Sequence, residues 1–535
     1  MKMYLKSKDK SLFGSISVII LLIVTVSCQP KPVTVTLAPS GSVQTEEQDI
    51  VQIQQGYQDS RFTVREVVQA YLDRIEKIDK GESGLHSIIT LNPDAIQIAQ
   101  ELDRELKAGK NRGPLFGIPV ILKDNIDTHD KMATTAGSRA LLHSFPLKDS
   151  FIASRLRAAG AVILGKANLS EWANFRGQLS TSGWSGVGGQ TRNPYDLSRN
   201  PCGSSSGSAV AVAANLTMVA IGTETNGSIV CPAQTNGIVG IKPTVGLLSR
   251  SGIIPISVTQ DTPGPMGRTV SDAAICLGAL VGVDSTDEKT LASKGQFYAD
   301  YTRFLNKDGL KGKRIGLDKS ALGINYKVDS LFSHAVTYLK DQGATVVEIG
   351  SLDNREVANA SNEIMLFEFK DGLNTYFKSL GPNAPIKSVE DLIAFNEKDS
   401  VELNYFNQKY LELAQQKGAL TTAEYRSALA KLMKGSREEG MDRVMNSNDL
   451  DAIIAPTGGP AWKTDLINGD SFQIGSSSAA AQAGYPSITV PMGFVDHLPV
   501  GISFFGRGWS EPILIEMAYA YENGTKFRRA PKFLK

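Results

Sequence analysis

In this 535-residue chain the side chains best suited to chemistry are one lysine and two clusters of serine. Lys123 directly follows Gly117-Ile118-Pro119-Val120-Ile121-Leu122, an unbroken apolar run. The serines fall in two glycine-punctuated turns, Gly203-Ser204-Ser205-Ser206-Gly207-Ser208 and Gly222-Thr223-Glu224-Thr225-Asn226-Gly227-Ser228. Between them lie Ala209-Val210-Ala211-Val212-Ala213-Ala214, able to form a buried helix, and the short apolar segment Thr217 to Ile221. Glycine lets a backbone leave ordinary dihedral space where it must approach a ligand closely. Two such turns, separated by a rigid buried element, hold two serines at a fixed distance. A lone Gly/Ser cluster reads as a flexible linker, but a linker is not interleaved with segments that need a core.

Cleaving an amide requires a nucleophile, a base, a proton path to the leaving nitrogen and donors for the developing oxyanion. A free lysine, at about 10.4, is protonated and cannot serve as base; burial lifts that restriction by disfavouring the charge. The run before Lys123 reads as a strand buried on both faces, which delivers the amine to the rim of a buried site instead of to bulk water. Gly203 to Gly207 also fits the nucleophile-elbow pattern with Ser205 at its centre. That motif must follow a strand, and Arg199-Asn200-Pro201-Cys202 does not read as one. A P-loop and a Rossmann glycine fingerprint are both missing. The five histidines (His86, His129, His143, His334, His497) form no metal-spaced pair, so neither metal nor cofactor is expected.

The elements that must position these residues alternate. Thr63-Val64-Arg65-Glu66 is a capping box opening a helix with Val64, Val67, Val68, Tyr71, Leu72, Ile75 and Ile78 on one face. Asn92 to Leu106 and Asp149 to Ala159 read as helices. Strands are expected at Ala161–Leu164, Arg314–Leu317, Thr345–Ile349, Ala452–Ala455, Ser487–Val490 and Val500–Phe505. This alternation predicts an α/β fold around a largely parallel or mixed sheet. From about 354 to 446 the pattern is helical and more polar, an insertion able to cover a substrate entrance within a single domain spanning 49–535.

Composition is ordinary for a globular enzyme, with 41% hydrophobic and 21% charged residues, enough for a large core. The formal charge is +1. Residues 1–27 carry four lysines against one aspartate, which leaves the remainder slightly acidic, so nucleic acid is not an expected partner. Residues 1–27, lysine-rich and then apolar from Leu12 to Val26, have the layout of a secretory signal, too short to span a membrane. Thr25-Val26-Ser27-Cys28 resembles a relaxed bacterial lipobox with Cys28 as the lipidated first mature residue, although Thr25 stands where leucine is usual; an ordinary secretory signal cleaved nearby and an uncleaved anchor are the alternatives. Residues 28–48 then read as a flexible tether. The expected location is exported: the bacterial cell envelope, in the periplasm or at the outer membrane, held by a lipid anchor. Cys202, Cys231 and Cys276 are read as small buried thiols, pairing of the first two in an oxidising compartment being the alternative. Trp172, Phe175 and Trp184 are read as core or as an apolar pocket wall.

The motifs, taken in order, resemble those of the amidase signature family from Phe62 to Arg529. Gly113-Pro114-Leu115-Phe116-Gly117-Ile118-Pro119 with Lys123-Asp124 is similar to the family's lysine motif, and Thr134-Thr135-Ala136-Gly137-Ser138 to its TTxGS. Cys202 to Gly207 takes the place of GGSSGG, and Gly222 to Pro232 that of GTDxGGSxRxP. Asp451 to Pro456 and Gly484 to Pro491 resemble the late strand motifs. The chain departs from the pattern at Cys202, Glu224, Asn226 and Val230, which replace Gly, Asp, Gly and Arg. The form GTETxGSIVCP looks closest to the peptide amidase branch. The resemblance implies a large twisted mixed sheet flanked by helices on both faces. It assigns Lys123 as base, Ser204 as bridging serine beside a cis peptide, and Ser228 as the acyl-forming nucleophile. Backbone N–H groups of Thr225, Asn226, Gly227 and Ser228 become the oxyanion hole, with Asn226 tolerating a left-handed conformation. The implied activity is hydrolysis of linear carboxamides, small-molecule or peptide amides, with C-terminal peptide amides the branch's substrates. An esterase on the same scaffold and a catalytically idle peptide-binding lipoprotein are the competing readings.

Overall fold

The apolar run before Lys123 becomes the strand β2 (Pro119–Lys123), every residue of it buried, inside one mixed sheet of 11 strands. In this computed structural model, residues 43–81 and 83–535 are described. The signal segment, Cys28 and the tether as far as residue 42 lie outside them. Residues 43–48 do not hang free: Thr45 is buried, Glu47 N–H donates to Asn215 Oδ1 (2.8 Å), and Arg528 Nε donates to Glu47 Oε2 (2.9 Å).

In chain order the other strands are β1 (Ile88–Leu91), β3 (Val162–Ala167), the small pair β4 (Trp184–Ser185) and β5 (Gly189–Gln190), β6 (Val219–Glu224), β7 (Val239–Lys242), β8 (Thr262–Gly267), β9 (Arg314–Asp318), β10 (Thr345–Ile349), β11 (Ala452–Pro456), β12 (Ser487–Val495) and β13 (Leu498–Phe505). The large sheet runs β1-β3-β2-β6-β8-β7-β12-β13-β11-β9-β10. β2 lies parallel to β3 and β6, in register Leu122 with Ile221, while β6 pairs antiparallel with β8. Lys123 therefore leaves the sheet beside Thr223 and Glu224 at the end of β6. That adjacency is what the site needs.

The capping box forms as expected, Thr63 Oγ1 accepting from Glu66 N–H while the Glu66 carboxylate accepts from Thr63 N–H, and opens the Val64–Arg74 helix. The run after the first serine turn becomes the Ser206–Ala213 helix, all eight residues buried. From Arg355 to Ser447 the described chain is helical and contains no strand. Its long first helix, Arg355–Ser379, buries Phe369, Leu373 and Phe377 against Trp172, Ile254 and Ile256. The insertion thereby shares a core with the loops that edge the site.

Candidate active site

Lys123 sits at the C-terminal end of β2 with no solvent exposure. Its Nζ donates to Ser204 Oγ (2.7 Å), Thr223 Oγ1 (2.8 Å) and Thr223 O (3.2 Å). Burial pushes the amine down to about 7 against the opposing pull of the Asp261 and Glu224 carboxylates. Asn125 Nδ2 also donates to Thr223 Oγ1 (3.0 Å), so this hydroxyl serves two donors.

The next residue explains the threonine motif. The Asp124 carboxylate accepts from the Thr135 hydroxyl and N–H, and Ala136 N–H donates to Asp124 O (2.8 Å), folding the 134–138 segment over the lysine strand. Behind it Lys166 Nζ donates to Ile126 O (2.7 Å) and Thr134 Oγ1 (2.8 Å). Burial raises Asp124 to about 6 and Asp127 to about 7.

The first serine turn approaches from the opposite side. The Gly203–Ser204 peptide is cis, and Ser170 N–H donates to Ser204 O (3.1 Å). Ser205 follows a loop, not a strand, and its hydroxyl donates to Thr223 O (3.1 Å) while accepting from Thr223 N–H (3.2 Å). It is a buried tie between the turn and β6, and the elbow pattern around it has no elbow geometry.

The second turn is joined to the first by further links. Ser205 N–H donates to Ser228 O (3.1 Å), and Cys202 and Cys231 form a disulfide with Cα atoms 6.0 Å apart. The expectation of free thiols at these two positions is thus corrected. Folding brings together two residues 29 apart in sequence, a convergence that spacing alone cannot display. Cys276 is a buried thiol as expected.

Glu224, in place of the usual aspartate, caps the turn. Its carboxylate accepts from Gly227 N–H (2.8 Å), Ile229 N–H (2.7 Å) and Val230 N–H (3.0 Å). In this structure the Gly227 N–H is turned to Glu224. The N–H groups of Thr225, Asn226 and Ser228 have no acceptor among the described residues. The left-handed residue is Gly227 (φ 84°), not Asn226. Asn226 instead braces the turn from outside, accepting from Ser477 Oγ (2.7 Å) and donating to Ser478 Oγ (3.2 Å). Ser228 is half-buried, and its hydroxyl has no hydrogen-bond partner among the described residues.

A cavity of about 630 Å³ lies beside this group, with Asn125, Thr223, Thr225, Asp261, Ile254 and Tyr376 in its walls; Lys123, Ser204 and Ser228 do not line it. Asp371, Gly372, Thr375, Tyr376 and Ser379 of the Arg355–Ser379 helix form part of its wall. Trp172 and Trp184 are buried, and Phe175 stacks on Tyr410 at 4.9 Å between ring centroids, so these aromatics join the insertion to the body instead of lining the cavity. Among the described residues no cluster of His, Cys, Asp or Glu could hold a metal ion. Thr223, Asp261 and Gln260 went unread in the sequence. Thr223 lies inside the Gly222–Pro232 motif, and Asp261 directly precedes β8, whose Pro/Gly-rich sequence carries turn signals that hide a strand.

A family model described as Amidase matches residues 66–515. A protein of Arabidopsis thaliana named as a probable amidase is 43% identical over 506 residues, 92% of this chain and 93% of that protein. A Schizosaccharomyces pombe protein, also designated an amidase, is 37% identical over 523 residues, 92% of this chain and 88% of the relative. The crystal structure of native peptide amidase from Stenotrophomonas maltophilia superposes with a TM-score of 0.88 at 51% identity, covering 91% of this chain and 99% of that one. The plant and fungal relatives correct the expected localisation. They are not lipid-anchored proteins of a bacterial envelope, and a four-residue lipobox is a far weaker signal than likeness along nine-tenths of a chain. Among the described residues no helix is long and apolar enough to cross a membrane.

Proposed function

Because the chain belongs to the amidase family and is a hydrolase acting on amides, we propose that it cleaves linear carboxamides, C-terminal peptide amides among them, through an acyl-enzyme on Ser228. The observation that carries this reading is the buried Lys123 amine 2.7 Å from Ser204 Oγ, on a loop fastened to the turn that bears Ser228. The likeness to the Stenotrophomonas peptide amidase supports the substrate class.

In this mechanism neutral Lys123 takes the Ser204 proton while Ser204 takes that of Ser228, and the Ser228 oxygen bonds to the amide carbon. The charge that develops on the carbonyl oxygen is met by the N–H groups of Thr225, Asn226 and Ser228, donors set in place before the reaction. The relay then reverses. Its proton goes to the leaving nitrogen, the C–N bond breaks and ammonia or an amine departs. Water entering by the same route hydrolyses the acyl ester to the acid and restores the Ser228 hydroxyl.

The test is ammonia release by the purified protein from acylamides and peptide amides, with matched esters alongside. Release is expected, with Ser228→Ala lowering kcat by about 10⁵-fold or more, as removal of a serine nucleophile does elsewhere. Full activity in Ser228→Ala would overturn the nucleophile assignment. Turnover of esters alone would make the protein an esterase, and no turnover of either would leave a binder.

A further inference from the structure

Thr225 stands where two systems meet. On one side it follows Glu224 at the end of β6 and begins the segment to which the reading above gives the oxyanion donors. On the other, both of its polar handles are held by consecutive residues of the loop before β8. Its hydroxyl donates to Asp261 Oδ1 (2.6 Å), and its carbonyl accepts from Gln260 Nε2 (3.4 Å).

That loop is in turn held by the insertion. Gln260 Oε1 accepts from Ser361 Oγ (2.7 Å) on the Arg355–Ser379 helix. One heptad further along, Glu368, with no exposed surface, accepts from Thr259 N–H (3.2 Å), Thr259 Oγ1 (2.6 Å) and the Ser257 hydroxyl, and Tyr425 OH also donates to it (2.6 Å). Asp261 closes the loop on itself by accepting from Ile256 N–H (2.7 Å) and Ser257 N–H (2.8 Å). The approach is tight: a Cβ on Gly372 of the helix would lie 2.8 Å from Pro255 Cγ of the loop. The same loop and helix form two walls of the cavity.

We infer that Gln260 and Asp261 are positioning residues, through which the insertion helix sets Thr225 and hence the oxyanion-binding segment. This rests on the amidohydrolase reading of the site. A hydroxyl and a carbonyl fixed from one side leave the adjoining peptide little freedom to rotate, which is what a preorganised donor requires. Loss of the anchor leaves the serines and Lys123 in place, so the deficit falls on the chemical step and not on substrate capture.

The experiment compares Ser361→Ala, Asp261→Asn and Thr225→Val with wild type at pH 8, counting competent sites by titration with a fluorophosphonate. Ser361→Ala cuts the anchor far from substrate, and Thr225→Val deletes the hydroxyl at nearly constant volume. The expected result is a kcat per titrated site lowered about 10- to 100-fold, below the roughly 10²–10³ lost when a donor is removed outright, with KM within twofold. Serine phosphonylation should slow by the same factor. A purely structural role lowers the number of titratable sites and leaves kcat per site at the wild-type value, which would overturn the inference, as would a change confined to KM. Should one variant fail to fold, the others read the same link from its opposite end. Full activity in Ser228→Ala would instead fault the underlying reading.

Discussion

At the scale of single residues the site turns on how many hydrogens Lys123 carries. Its nitrogen has three oxygen neighbours, two of them on Thr223. The Thr223 carbonyl can only accept, and its hydroxyl already accepts from Asn125. An ammonium would donate to all three. In the proposed relay a neutral amine, with two hydrogens and a lone pair, satisfies Thr223 with the hydrogens and turns the lone pair toward the Ser204 hydroxyl, so that Thr223 orients the proton transfer. The pH dependence follows. With the amine depressed by burial to about 7, kcat/KM should fall about tenfold per unit below that pH and level off above it, because the protonated amine cannot accept. Asp261, raised by burial to about 6, titrates close by, so the profile of Asp261→Asn separates the two: the acid limb should persist in that variant, moved to lower pH because the carboxylate that opposes the fall of the amine is gone. A flat profile from pH 5 to 9 would remove Lys123 as the base.

Among the elements, those with one unambiguous signal were legible. The apolar run ending in Lys123 gave β2, and the reciprocal Thr63/Glu66 pattern gave the Val64–Arg74 helix. β8 was not legible, because Thr262-Pro263-Gly264-Pro265-Met266-Gly267 is written in turn residues. Proline is disfavoured in an interior strand, yet this one is wholly buried between β6 and β7. The lysine and both serine turns could be found by residue type and by family resemblance. Their fastening could not, since Cys202–Cys231, Glu224 and Gln260–Asp261 act through contacts that only the folded chain creates. The disulfide belongs to this scale. It closes a loop of about 30 residues, for which chain entropy gives roughly 3.6 kcal/mol of stability. The Cys202→Ala/Cys231→Ala pair should lose about that much in denaturant unfolding, and an unchanged midpoint would show that the two turns are held by the hydrogen bonds alone.

Across the whole molecule the insertion is part of the site's frame. Besides the Gln260 and Glu368 links, it is tied to the body through Arg176, whose Nη1 donates to Glu171 Oε1 (2.7 Å) and to Glu402 Oε2 (3.1 Å), all three side chains buried. Burial, reinforced by the neighbouring Glu402, holds the Glu171 carboxyl well above the usual carboxylate range. Glu402→Ala leaves Arg176 paired with Glu171 but takes the acceptor from Arg139 N–H (2.6 Å) and one of the two from Arg176 Nη1, so it should cost roughly 2–3 kcal/mol. An unfolding free energy within 0.5 kcal/mol of wild type, about the range of a neutral surface change, would show that the insertion docks without it. The central claim concerns a buried amine working through two hydroxyls in series. Its most direct measurement is mass mapping of the fluorophosphonate adduct on wild type and on Lys123→Ala. A single adduct on Ser228 in wild type, formed at least about a hundredfold more slowly without the lysine, is the expected result. An adduct on Ser204 or Ser205, or labelling of Ser228 at an undiminished rate in Lys123→Ala, would contradict it.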